Sequence, residues 1–128
     1  MGDAMKILIA EDDKHTREGL VDILEGEGYE TLAAEDGKQA LALFTKEHPD
    51  LVCLDVMMPG LDGYEVCKEI RRFDKQVPVI FLTAKSQERE VKKGLSLGAI
   101  GYLIKPFNPM TLAEEIQQIL LTEQETPS

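Results

Sequence analysis

The sequence predicts an α/β fold: a five-stranded parallel sheet in three layers, with helices on both faces. Three observations predict it. Short apolar runs alternate five times with longer stretches whose apolar residues recur at helical spacing. Two of the runs, Leu51-Val52-Cys53-Leu54 and Val79-Ile80-Phe81-Leu82, contain no polar residue, as expected of strands covered on both faces. The residues that end the runs are chemically distinctive, and in open α/β sheets ligands bind at the carboxyl ends of strands.

The first run, Lys6 to Ala10, is followed by Glu11-Asp12-Asp13. Leu20, Ile23 and Leu24 predict a helix over about 14–26, with Gly28 as its stop. Residues 30–34 form a second, weaker strand, expected at a sheet edge. Asp36 caps a helix whose Ala40, Leu41 and Phe44 face inward, and Pro49-Asp50 closes the connection to a strand at 51–55. That strand ends on a single carboxylate, Asp55, before the breaker Pro59-Gly60. Asp62 caps the next helix, with Val66, Cys67, Ile70 and Phe73 on its inner side. Residues 77–82 form the fourth strand, whose early Pro78 is tolerable near a strand start, and Thr83 follows at its end. A helix over about 86–97 turns Val91 and Leu95 inward and stops at Gly98. Ile100 to Ile104 is the fifth strand, ending on Lys105-Pro106. The last helix, about 109–122, buries Leu112, Ile116, Ile119 and Leu120 ahead of a polar, frayed tail.

A chain of 128 residues, 43% hydrophobic and 30% charged, fits one globular domain with a real core. No apolar run approaches the roughly 18 residues that a membrane span needs. The start carries neither a secretory signal nor a myristoylation signature, since Lys6 stands where Ser or Thr is required. Met5-Lys6 reads as a natural start, with 1–4 as an N-terminal extension. A net charge of −10 with scattered Lys and Arg argues against gripping nucleic acid. Cys53 and Cys67 are too few for a zinc site or a disulfide scaffold and read as packed, reduced thiols of a cytoplasmic protein.

The strand ends form a constellation: Glu11, Asp12 and Asp13 from the first, Asp55 from the third, Thr83 from the fourth and Lys105 from the fifth. Clustered carboxylates repel one another and partly protonate unless a cation neutralises them. Hard oxygen ligands with room for waters and a phosphate suit Mg²⁺. A hydroxyl and a lone lysine suit a transferring phosphoryl group, whose charge is spread over its oxygens. One carboxylate remains to act as nucleophile, and Asp can form an acyl phosphate. His15 and His48 lie outside this set and read as solvated helix residues.

The sequence resembles the receiver domain of bacterial two-component response regulators over roughly residues 5–122. The resemblance rests on Ile-Leu-Ile-Ala-Glu-Asp-Asp at 7–13, Pro-Asp-Leu-Val-Cys-Leu-Asp-Val-Met-Met-Pro-Gly-Leu-Asp-Gly at 49–63, Val-Ile-Phe-Leu-Thr-Ala at 79–84 and Gly-Ala-Ile-Gly-Tyr-Leu-Ile-Lys-Pro-Phe at 98–107. It implies a flavodoxin-like sheet of order 2-1-3-4-5, with 123–128 as a polar tail or the start of a linker. It implies that Asp55 is the phosphoacceptor and that Mg²⁺ is held by Asp12, Asp55, the backbone carbonyl of Met57 and, through a water, Glu11. Thr83 is then the hydroxyl that meets the phosphoryl group, Lys105 its counter-charge, and Lys105-Pro106 a cis peptide. Tyr102 is implied to change rotamer with Thr83, which makes the fourth helix, fifth strand and last helix the output surface. Asp13 is read as the N-cap of the first helix, with a metal role left open. Taken singly, Thr83 reads as an ordinary β-branched strand residue, and the other members of the set give it its role; for Tyr102 a static surface aromatic is the lesser alternative.

The implied donor is a sensor histidine kinase or a phosphotransfer domain, and the reader is a downstream effector protein or domain. Neither nucleic acid nor membrane is expected to bind this domain, and a phosphorylation-dependent dimer is left open. The chain is expected not to be an enzyme, although it takes part in its own phosphoryl transfer and autodephosphorylation. An alternative is an intermediate phosphorelay receiver, or the N-terminal receiver of a larger regulator with a DNA-binding or enzymatic output. Winged-helix DNA-binding regulators often carry Asp-Asp before the strand-five aromatic and Arg in the last helix; here Ile100-Gly101 and Glu114-Glu115-Ile116-Gln117-Gln118 stand there, which weakens the expectation of their charged dimer contacts. Two other classes fit less well. Aspartate-nucleophile phosphatases place two Asp two residues apart at the first strand, whereas these acids are adjacent and the nucleophile is on the third. An FMN carrier needs a glycine- and hydroxyl-rich phosphate loop after the first strand, where three acids would repel the phosphate.

Overall fold

The computed structural model describes residues 4–84 and 88–125. Five strands alternate with five helices: β1 (Lys6–Ala10), α1 (Lys14–Gly26), β2 (Glu30–Ala34), α2 (Gly37–Glu47), β3 (Leu51–Asp55), α3 (Gly63–Phe73), β4 (Val79–Thr83), α4 (Glu88–Ser96), β5 (Gly101–Ile104) and α5 (Leu112–Glu125). The strands form one parallel sheet in the order β2-β1-β3-β4-β5, as the resemblance implies. The expected start of the fourth helix at 86, the side chain of Val91, residues 1–3 and the side chains from 123 onward lie outside the described residues.

Period-two alternation along the strands splits the core in two. Leu8, Val52, Leu54, Val79 and Phe81 point to the side covered by α2, α3 and the end of α4, with Ala40, Phe44, Val66, Cys67 and Ile70. Ile7, Ile9, Leu51, Cys53, Ile80 and Leu82 point to the other side, against Leu20 and Leu24 of α1 and Leu112 and Ile116 of α5. Every residue of β3 and β4 is buried, as their uninterrupted apolar runs predict. Helix starts follow their caps: Asp13, Asp36 and Asp62 each accept a backbone N–H three residues on, and Asp62 with Glu65 completes a capping box. Gly28 and Gly98 follow α1 and α4 with φ of 94° and 90°, the left-handed conformation that favours glycine at a helix stop.

The structure corrects two helix faces. Phe73 is 77% exposed: α3 ends on it, and it lines a shallow recess with Phe44, Thr45 and His48 instead of the sheet core. Leu95 is 51% exposed because Gly94 takes the inward place on α4, over Phe81 and Tyr102. Boundaries also move, among them the starts of β4 and α5 and the end of α5, which runs on to Glu125. β4 starts at Val79, since Pro78 has no N–H to give the ladder, although its carbonyl accepts from Val52 N at 3.0 Å. α5 starts at Leu112, after a turn in which Asn108 O accepts from Leu112 N at 2.9 Å and Asn108 Oδ1 from Met110 N at 3.0 Å.

Candidate phosphoacceptor site

β1 leaves the sheet after Ala10, but Glu11 N still donates to Ala34 O of β2 at 3.1 Å. Glu11 therefore continues the strand's alternation and is fully buried. One oxygen of its carboxylate accepts from Asp13 N at 3.0 Å. The carboxylate of Asp13 is engaged by Thr16, from N at 2.8 Å and from Oγ1 at 2.7 Å, which holds its pKa below the ordinary value. Carboxylate oxygens of Glu11, Asp12 and Asp55 lie within 4.8 Å of one another, and Asp13 is outside that group.

Asp55 is the last residue of β3 and only 4% exposed. Its Oδ1 accepts from Met57 N at 3.3 Å. α3 starts hard against this strand end: Gly63 N donates to Val56 O at 3.1 Å, and a Cβ on residue 63 would overlap the Asp55 carbonyl. From the other side comes Lys105, whose Nζ is 2.7 Å from Glu11 Oε1 and 3.3 Å from Asp55 Oδ1. Lys105 N donates to Thr83 O at 2.8 Å, and Lys105-Pro106 is cis. Thr83, buried at the end of β4, pairs with Ile104. The structure thus brings Glu11, Asp12, Asp55 and Lys105 together, with Asp12 on the exposed rim, and joins Thr83 to Lys105 through its backbone.

Burial pushes the Asp55 carboxyl up to about 7, aided by the neighbouring Glu11 and opposed by the Lys105 charge. Burial also works against the Lys105 charge, but Glu11 and Asp55 outweigh it and hold its pKa above the ordinary value. Three close carboxylates with one lysine are an all-oxygen donor set with charge to spare, which fits a hard divalent cation such as Mg²⁺.

Tyr102 is outside the acidic pocket. It is half-buried, its ring centroid 5.9 Å from that of Phe81, and its hydroxyl lies beneath Gly94 of α4. The stack continues to Tyr64 of α3, 5.0 Å from Phe81, with Lys93 Nζ 4.4 Å over the Tyr64 ring. Phe81 and Thr83 share a face of β4, and Tyr102 pairs with Phe81, so the hydroxyl and the aromatic lie on the same side of the sheet. Cys53 and Cys67 are buried free thiols, and burial pushes Cys53 up to about 12, far from reactive thiolate. His15 and His48 are exposed and away from the cluster. Sequence reading did not single out Gly63, Gly94 or Arg17; the first of these directly follows the Asp62 cap, a place where a close approach to β3 could have been suspected.

A doubly covered parallel sheet with acids, a hydroxyl and a lysine gathered at one edge defines a class, and comparison with known proteins agrees. The family model of the response regulator receiver domain matches residues 7–117, and the chain belongs to that family. It is 50% identical over 115 residues to the "Probable transcriptional regulator ycf27" of Galdieria sulphuraria, covering 90% of this chain and 45% of that protein. It is 40% identical over 123 residues to the DNA-binding response regulator MtrA of Mycolicibacterium smegmatis, covering 96% and 54%. The solved structure of the chemotaxis protein CheY4 of Vibrio cholerae superimposes with a TM-score of 0.87 at 35% identity, covering 91% of this chain and 98% of that one. The chain spans about half the length of the curated relatives it matches. It is a receiver domain of two-component signalling, a class that is generally not enzymatic. Among the described residues, no helix is long and apolar enough to cross a membrane.

Proposed function

We propose that Asp55 is the phosphoacceptor and takes its phosphoryl group from a phosphohistidine on a sensor histidine kinase or phosphotransfer domain. The observation that carries this reading is the buried Asp55 carboxylate, held on Oδ1 by Met57 N and by Lys105, with Glu11 alongside. In the transfer, an Asp55 oxygen forms a bond to phosphorus as the bond from phosphorus to the imidazole nitrogen breaks. Lys105 pairs with the phosphoryl charge, and the Thr83 hydroxyl donates to one of its oxygens. Glu11, Asp12, Asp55 and the backbone carbonyl of Met57 would hold Mg²⁺, which when bound neutralises charge on the phosphoryl oxygens.

An apolar groove of about 520 Å³ opens beside Lys105, between Leu20 and Ile23 of α1 and Pro106 and Phe107. We seat the donor there. Movement of Thr83 toward the phosphoryl group would be read through Tyr102 at the α4–β5–α5 surface by a downstream effector. In this reading residues 5–122 are the receiver, 1–4 an extension, 123–128 a tail or linker, and the site of action the cytoplasm. The greater length of the curated relatives, one of them named a DNA-binding response regulator, is compatible with a second reading, the N-terminal receiver of a longer regulator.

Acetyl phosphate with Mg²⁺ tests the assignment. It should label the chain with one hydroxylamine-sensitive acyl phosphate, and Asp55→Asn should remove it. Stoichiometric labelling of that variant would overturn the reading.

A further inference from the structure

We propose that Arg17 is a positioning residue for the acidic pair, setting the divalent-cation affinity of the site by bracing the β1–α1 turn from behind. The proposal rests on the reading of Glu11, Asp12 and Asp55 as a cation site.

The turn lies between two hydrogen-bonding systems. β1 ends at Ala10, so the carbonyls of Glu11 and Asp12 have passed the strand ladder. The first carbonyl that α1 uses is that of Asp13, which accepts from Arg17 N at 2.9 Å. Arg17 fills the gap with its own side chain. Its Nη1 donates to Glu11 O at 2.8 Å and, more weakly, to Asp12 O at 3.3 Å. Its Nη2 lies 3.8 Å from Glu35 Oε2, beyond the end of β2, and the side chain is only 15% exposed.

A charged donor on a backbone carbonyl makes one of the stronger hydrogen bonds available. The planar guanidinium can address adjacent acceptors together, as an ammonium cannot. Holding both carbonyls fixes both peptide planes, and with them the directions in which the Glu11 and Asp12 side chains leave the chain. Lys105 meets the carboxylates themselves, whereas Arg17 meets the backbone that carries them. Groups that orient ligands from behind typically matter by about 10–100-fold in metal affinity. The Glu35 ion pair is long and its carboxylate is exposed, so it aims the guanidinium rather than adding much stability.

Mg²⁺ titrations followed by amide resonances, with metal-free melting curves as a fold check, decide the matter for wild type, Arg17→Met and Arg17→Lys. Arg17→Met should weaken Mg²⁺ binding about tenfold or more. Arg17→Lys, which keeps the charge but not the fork, should fall between it and wild type. The Mg²⁺ concentration for half-maximal labelling by acetyl phosphate should rise in parallel. A structural role alone would lower melting temperature and leave the affinity of the folded protein unchanged, and that result overturns the proposal. If Arg17→Met fails to fold, wild-type affinity in Arg17→Lys overturns it. Absence of Mg²⁺ binding to wild type would overturn the cation reading and this proposal together, whereas unchanged affinity in the variants overturns this one alone.

Discussion

Asp55 is ionisable in a place that resists its ionisation, and this has a measurable cost. In the unfolded chain an Asp titrates near pH ~4, whereas burial raises Asp55 to about 7 in the folded state. Between those values the folded protein keeps a proton that the unfolded chain has released, so stability falls as pH rises from about 4 through about 7. Lys105, held above its ordinary value, stays charged throughout that window and does not contribute to the slope. Without divalent cation, Asp55→Asn should therefore be more stable than wild type at pH 8, by something on the order of 1–2 kcal/mol after allowance for solvent screening. The gain should vanish below pH ~4. Melting curves at both pH values check this; a gain independent of pH would mean that the carboxylate's charge is not its source. At this scale the placement of Asp55, Asp12, Thr83 and Lys105 at or just after strand ends was legible in the sequence, because strand ends can be read from apolar runs. It hid Arg17, whose partners are backbone carbonyls and leave no mark in side-chain identity.

Among the elements, α4 carries the sharpest test. Ala is the better helix former by ~1 kcal/mol, so propensity alone favours Gly94→Ala. A methyl group on residue 94 would overlap the Tyr102 hydroxyl and approach Phe81 to 2.9 Å, and overpacking of this kind typically costs about 1–3 kcal/mol. The clash should win, giving a net loss in melting temperature. Tyr102 should be displaced from beneath α4, and beryllofluoride, a phosphoryl mimic, should shift the amide resonances of α4 and β5 less than in wild type. Undiminished shifts would show that the response does not pass through Tyr102. The same contact explains why helical periodicity misplaces Leu95 on this helix: spacing ranks positions around an axis, but the Tyr102 ring decides that residue 94 faces inward and Leu95 outward. Phe73 was placed inward wrongly for a related reason, since its spacing is right but α3 ends with it. The strands were legible to within two residues because β3 and β4 are buried on both faces and tolerate no polar interruption. Gly101, where a charged residue is common in winged-helix regulators, leaves room for Ile119 of α5 to pack onto β5.

For the whole molecule, the sheet gathers chemistry at one edge and leaves a groove beside it, the proposed seat of the donor. Ile23 is a half-buried wall of that groove, removed from the carboxylates. Ile23→Asp should slow phosphoryl transfer from a cognate kinase about tenfold, equivalent to ~1.4 kcal/mol of lost docking. Labelling by acetyl phosphate, which needs no protein surface, should change little. Parallel kinetics with the two donors provide the measurement, and equal slowing with both would move the docking surface elsewhere.

The strand order has a mechanical consequence. β3, which carries Asp55, is paired on both sides, whereas β5, which carries Tyr102 and leads into Lys105, is paired on one side only. Segments with fewer such ties open locally at lower free energy than those at the centre of a fold. The proposed acceptor therefore sits on stiff ground and the proposed reporter on a compliant margin of the same sheet. On the proposed reading, a charge placed on Asp55 would strain the margin before the middle, so the response would stay local while the fold stays closed.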